Sequence, residues 1–184
     1  MVVAIGGEPA TGKTLLMLKL IEKLSAETEG FTFTFKKLRG TSFGNVHVFG
    51  IYNGQTFQGT DRLSMAVQPD AIEFIGHLPS TDRVVFEGDR LFNGKLFVQL
   101  SKLGRSLQVV LLQASEGEKV RRHRLREDDQ TPAFLRSRAT KYRNIANGTY
   151  PGSSEVQAEW HLRQSELPAH VETNAAFLID LLKK

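Results

Sequence analysis

The spacing of apolar positions changes several times along the chain, and each change predicts an element. "VVAIGG" is a short unbroken apolar run ending in a Gly pair, the pattern of a parallel strand buried on both faces. "GKTLLMLKLIEKLSAE" moves to helical spacing, with Leu15, Leu16, Leu18, Leu20 and Ile21 expected inside and Lys19, Glu22 and Lys23 outside. "FTFTFKKL" alternates with period two and predicts a strand with one buried face. "NVHVFGIYNGQTFQG" predicts a β-hairpin turning at Asn53-Gly54. From Asp61, "DRLSMAVQPDAIEFIGHL" predicts two helical pieces, with Pro69 in the first turn of the second.

A second unbroken run, "RVVFEGD", predicts a buried strand that ends in acids. "NGKLFVQLSKLG" predicts a helix stopped by Gly104, and "LQVVLLQAS" a third buried strand. Residues 117–146 read as a long Arg-rich helical region interrupted by "REDDQTP". A turn region at 147–154, a short helix, a final strand in "AHVETN" and a closing helix in "AAFLIDLLKK" complete the expectation. Strands alternating with helices predict an α/β fold of three layers, its parallel sheet covered on both sides. With no repeat and no low-complexity linker, residues 1–184 read as one domain.

Composition changes this picture in three places. The absence of cysteine excludes disulfides and thiolate metal sites. A net charge of +4 inclines the chain towards anionic partners such as nucleotides or nucleic acid. The opening run "MVVAI" is too short for a signal-peptide core or a membrane span, so the expected location is cytoplasmic.

The first strand and helix are joined by Gly7-Glu8-Pro9-Ala10-Thr11-Gly12-Lys13-Thr14, which fits G-x-x-x-x-G-K-[ST]. Two glycines let the backbone close round phosphates, and successive N–H groups at the helix start then point at the anion. Gly7, Ala10, Thr11, Gly12, Lys13 and Thr14 are therefore the expected ATP-binding residues, with Lys13 reaching the β- and γ-phosphates and the Thr14 hydroxyl binding Mg2+. The loop predicts a three-layer P-loop NTPase fold. A partner acid should end a neighbouring apolar strand. "RVVFEGDR" offers Glu87 for the metal shell, with Asp89 and Arg90 nearer a substrate.

The G-protein motifs N-K-x-D and D-x-x-G are missing, and 184 residues leave no room for a second motor module. Arginines instead gather late, in "EKVRRHRLRED" (Arg121, Arg122, Arg124, Arg126) and "FLRSRATKYRN" (Arg136, Arg138, Lys141, Arg143). Phosphoryl transfer asks the protein for positioning and positive charge, which the planar Arg fork supplies well. A solvated basic helix face paired to Glu118 and Glu127 is the plainer alternative. On the acceptor side, Asp61 can take a proton from an attacking hydroxyl and Arg62 can bind an anion. Asp61 would equally favour a helix dipole, with Thr60 as cap. Phe49, Tyr52 and Phe57 suit either a face for stacking a flat base or an ordinary core.

Residues 114–150 resemble the lid of the nucleoside-monophosphate-kinase-like group of P-loop kinases. With "GTDRLSM" and "VVFEGDRLF" added, most of the chain resembles bacteriophage kinases that phosphorylate 5-hydroxymethyluracil in DNA, a step in thymine hypermodification. The resemblance implies a β-hairpin insertion on the acceptor side (about 36–80), a helical lid, and transfer of the γ-phosphate of ATP to the hydroxymethyl oxygen. Lys13, Arg122 and Arg126 would act as charge clamps, Asp61 or Asp89 as base, and Arg121 would help to hold ATP. Arg62, Tyr52, Phe57 and Arg90 would hold the substrate, while Thr14 and Glu87 would hold Mg2+. The location implied is then the host cytoplasm. Lys36, Lys37 and Arg39 would join the lid in holding DNA phosphates. A kinase of a free nucleoside, nucleotide or other small hydroxylated metabolite is the alternative.

Overall fold

The computed structural model describes residues 1–54, 58–125 and 131–184. Among them a seven-stranded, mostly parallel sheet carries six α-helices. The strands are β1 (Val2–Gly6), β2 (Gly30–Phe35), β3 (Leu38–Phe43), β4 (Val46–Phe49), β5 (Arg83–Glu87), β6 (Leu107–Gln113) and β7 (Ala158–Gln164). The helices are α1 (Lys13–Glu27), α2 (Gln68–His77), α3 (Gly94–Lys102), α4 (Glu116–Leu125), α5 (Pro132–Ala146) and α6 (Pro168–Leu182). The order across the sheet is β2-β3-β4-β5-β1-β6-β7, parallel from β4 to β7, with β2 and β3 added antiparallel at one edge.

β1 lies at the centre, and all five of its residues are buried because helices cover both faces. Val2 and Ala4 face a cluster that holds Ala71 and Ile75 of α2, Leu96 and Phe97 of α3, and Tyr142 and Ile145 of α5. Val3 and Ile5 face the opposite cluster, built on Leu16, Met17 and Leu20 of α1 and on Leu178 and Ile179 of α6. The result is three layers, in which the carboxyl ends of β1, β5 and β6 share one rim of the sheet. Among the described residues no helix is long and apolar enough to cross a membrane.

Several elements differ from expectation. "FTFTFKKL" is not one strand, because the chain reverses after Phe35 with Lys36 at φ 53 and returns as β3. A second reversal at Gly44 (φ 57) leads into β4, so both antiparallel hairpins precede the one predicted. Of the expected hairpin at Asn53-Gly54, the described residues show an antiparallel bridge between Ile51 and Gly59, residues 55–57 lie outside them, and β4 spends its other edge on β5. Near the end, the segment expected as a short helix is β7, whose polar-apolar alternation Glu159-Trp160-His161-Leu162-Arg163 has the period of a strand. "AHVETN" is helical and opens α6, where Pro168 occupies the first turn and His170 Nδ1 accepts from the N–H groups of Glu166 and Leu167. On α1 the buried stripe is Leu16, Met17, Leu20 and Leu24, whereas Leu15 is 53% exposed and Leu18 36%.

Candidate active site

Gly7 to Gly12 form the turn between β1 and α1, and Lys13 and Thr14 open α1. Ala10 and Gly12 both hold positive φ (62 and 88), which winds the backbone into a tight curl. α1 has no side-chain N-cap at Gly12, so its first-turn N–H groups keep their capacity for an anion. Lys13 bends back over the loop and donates to the carbonyl oxygens of Gly7 and Glu8 (2.8 and 2.9 Å). Its ammonium also lies 5.4 Å from the Tyr142 ring centre. Thr11 is buried and donates to Glu8 O at 2.8 Å. A side chain at Gly12 would press on Ser165 Oγ (3.0 Å) and Arg122 Nη1 (3.3 Å), so the curl is braced from behind.

The acids meet on the same rim. Glu87 ends β5 only 3% exposed, and one of its oxygens accepts from the Thr14 hydroxyl at 3.2 Å. Burial pushes its carboxyl up to about 7 despite the nearby Lys13 charge. Gly59 must be glycine here: a Cβ would lie 2.3 Å from Glu87 Oε1 and 3.2 Å from the Tyr52 hydroxyl. Thr60 donates to the Glu87 carbonyl, and Asp61 Oδ1 accepts from the Asp89 N–H at 3.1 Å. Asp61 keeps much of its surface in contact with solvent, yet its carboxyl is crowded by the cleft walls. Desolvation there, and then the Asp89 charge, raise it above the ordinary Asp range. Thr14 and Glu87 together offer hard oxygen ligands and a buried negative charge, a donor set that fits Mg2+. Among the described residues no cluster of three or more His or acidic side chains surrounds a point, so further ligands to such an ion would be phosphate and water.

The Arg-rich helices divide their work differently from the expectation. Arg122 donates to Ala10 O (3.1 Å), to the carbonyls of Ser165 and Glu166, and to Glu118, tying α4 to the loop and to the β7–α6 turn. Arg121 forks onto the Glu118 carboxylate (2.7 Å twice), and Arg121 first, with Arg122, holds that carboxyl down to about 2. For these two, the helix-face pairing to Glu118 is what the structure contains. Among the described residues of these two helices, the cations that meet the acids come from α5: Arg138 pairs with Asp89 Oδ2 (2.9 Å) and Lys141 with Oδ1 (3.1 Å), where Tyr142 also donates (3.2 Å). Spaced i, i+3, i+4, these residues share one helix face, a signal the sequence carried. Arg126 and Phe57 lie outside the described residues.

The remaining substrate candidates also surround this rim. Arg62 donates to Asn53 Oδ1 (2.7 Å). Tyr52 packs its ring against the core, and among the described residues its buried hydroxyl has no hydrogen-bond partner, which suits it to bonding a ligand and not to stacking on one. Phe49 is wholly buried in the core. Among the described residues Arg90 Nε, Arg138 Nε and Gln58 Oε1 are likewise buried without partners, and Gln58 was not anticipated. Such orphaned polar atoms are costly unless a ligand completes them. Beyond the helix start, Gly12, Leu15, Leu18, Arg121, Pro168 and Val171 line a groove of about 600 Å3, which accounts for the exposed leucines of α1. A second cavity of about 450 Å3 lies beside Glu8, under α4 and α5, where the buried Lys119 ammonium pairs with Glu8 and Glu116. Comparison with models of known protein families gives no match, and a search of curated proteins likewise finds no relative.

Proposed function

We propose that this chain is an ATP-dependent kinase with an alcohol acceptor. The observation that carries the reading is the meeting of Lys13, Thr14 and Glu87 with Asp61 and Asp89 on one rim, facing the cations of α5. In this reading the loop 7–14 seats the phosphates and the groove along Leu15 and Leu18 takes the base of the donor, with Arg121 at its edge. Mg2+, when bound through Thr14 and Glu87, supplies positive charge to the phosphate oxygens. Asp61 takes the acceptor proton as the alcohol oxygen bonds to the γ-phosphorus, and the bond to the β-phosphate oxygen breaks to release ADP. Asp61 is the better base of the two acids, because both oxygens of Asp89 are already engaged by α5. Lys13, Arg138 and Lys141 stand ready to offset the charge that spreads over the moving phosphoryl group.

For the acceptor we favour the hydroxymethyl oxygen of 5-hydroxymethyluracil in DNA. The unpartnered Tyr52 hydroxyl, Gln58 oxygen and Arg90 Nε provide donors and an acceptor of the kind that a pyrimidine edge would complete. A free nucleoside or nucleotide is the second reading. It is favoured by Lys36, one of the cations expected to hold DNA, being paired with Glu73 on α2. Labelled ATP offered together with hydroxymethyluracil-containing DNA and a panel of free nucleosides and nucleotides separates the two. Label on the DNA base is expected, and label confined to the small-molecule fraction removes the DNA reading. Lys13→Ala should nearly abolish transfer while leaving the circular-dichroism spectrum unchanged, and transfer at the wild-type rate would contradict the assignment of the loop.

A further inference from the structure

β7 closes one side of the sheet, and no helix or loop of the described residues hydrogen-bonds along its outer edge at Trp160 and Leu162. It has no proline and no lysine over its seven residues, and it pairs with β6 in unbroken register. The Ser165 N–H bonds to Gln113 O, so the backbone groups of Glu159, His161 and Arg163 point to β6 while those of Trp160 and Leu162 point away. Among the described residues none hydrogen-bonds to these outward groups of Trp160 and Leu162, whereas the Gln164 carbonyl is already taken by Asn174. The side chains divide in the same way. His161 and Arg163 lie under α6 against Phe177, while Trp160 (40% exposed) and Leu162 (60%) present an apolar face to solvent.

We infer that β7 pairs antiparallel with β7 of a second copy, joining two sheets across a two-fold axis at His161. The occupant is identified by the strand's own charge order. In the register that overlaps Ala158–Gln164 over its full length, Glu159 stands opposite Arg163 of the second copy and Arg163 opposite its Glu159. In that same register Trp160 stands opposite Leu162, and these two residues are the ones whose free N–H and C=O groups face outward, so they form the hydrogen-bonded pairs of the new ladder. A slip of two residues in one direction sets Trp160 against Trp160 and Arg163 against Gln157. A slip in the other sets Arg163 against His161 and Glu159 against Ser165. Only the full overlap satisfies both charges, and a self-complementary patch of this kind is what an isologous dimer requires.

Sedimentation equilibrium over a range of protein concentrations tests the pairing, with circular dichroism confirming that each variant is folded. The wild type is expected to associate to a dimer. Leu162→Lys, at an exposed position away from the cleft, should raise the dissociation constant by roughly tenfold or more with unchanged melting. Glu159→Arg alone and Arg163→Glu alone should each be monomeric, because every cross-strand pair then carries like charges. Mixed together they should dimerise, since each copy now complements the other. A wild type that stays monomeric at every concentration, or a dimer that Leu162→Lys leaves intact, overturns the proposal. If Arg163→Glu loses its Asn174 contact and fails to fold, Leu162→Lys and Glu159→Arg still decide it.

Discussion

Glu87 shows how much one side chain can ask of its surroundings. A carboxyl so deeply placed prefers its proton, and its value of about 7 lies well above the ordinary 4.5. The folded chain therefore binds more protons than the unfolded one between those two values, and stability must fall as pH rises through that window. At about 1.4 kcal/mol per pH unit, the loss is on the order of 3 kcal/mol. Urea unfolding measured from pH 4.5 to pH 8 should show this slope in the wild type and not in Glu87→Gln. Saturating Mg2+-ATP should remove the slope if Glu87 is a metal ligand, since a cation keeps its carboxyl ionised across the same window. The neighbouring acids call for a different comparison. Asp61→Asn should lower the transfer rate roughly 10^2–10^4-fold, the range of a lost general base. Asp89→Asn should lower it less and act mainly by releasing α5, because Asp89 holds Arg138, Lys141 and Tyr142. Equal losses in both variants would mean that the base has been assigned to the wrong acid. The sequence placed Glu87 with Thr14, and the two are hydrogen-bonded, whereas the hold of Asp89 on α5 was beyond it, since only the turn at Gly88 (φ 100) separates the directions of the two acids.

Among the elements, the turn between β1 and α1 was legible in its place and curl because both are written in contiguous residues with glycines. The helices α4 and α5 were legible only as helices. Arginine is counted easily in a sequence, but whether it faces a phosphate or a carbonyl depends on the rotation of its helix, and that is fixed by packing elsewhere. Arg122 is the case in point. It looks like a clamp for ATP, and it bonds instead to Ala10, Ser165, Glu166 and Glu118 as a brace behind the loop. Arg122→Ala would strand several carbonyls at once, and a loss of about 2–3 kcal/mol is expected from removing charged hydrogen bonds of this kind. Chemical unfolding measures that loss. Isothermal titration with ATP should show weakened binding in the same variant although Lys13 and Thr14 remain, and unchanged affinity would mean that the loop keeps its shape without help.

At the scale of the whole molecule, the three layers and the central strand followed from the alternation of unbroken apolar runs with helical spacing. The edges did not. In the sequence β2 reads as part of one longer strand because the reversal at Lys36 carries no turn dipeptide, and β7 reads as a helix because it takes its place only by pairing with β6, distant in sequence. That distance matters for the loop as well. Its curl leans on Arg122 and Ser165, and the latter is placed by its N–H bond to Gln113 at the end of β6. During synthesis residues 7–14 leave the ribosome well before Arg122 and Ser165, so the curl is made before its supports. A nascent chain halted before Ser165 would carry every residue of the curl and lack the buttress that shapes it, and on the kinase reading proposed above it should not yet capture a nucleotide.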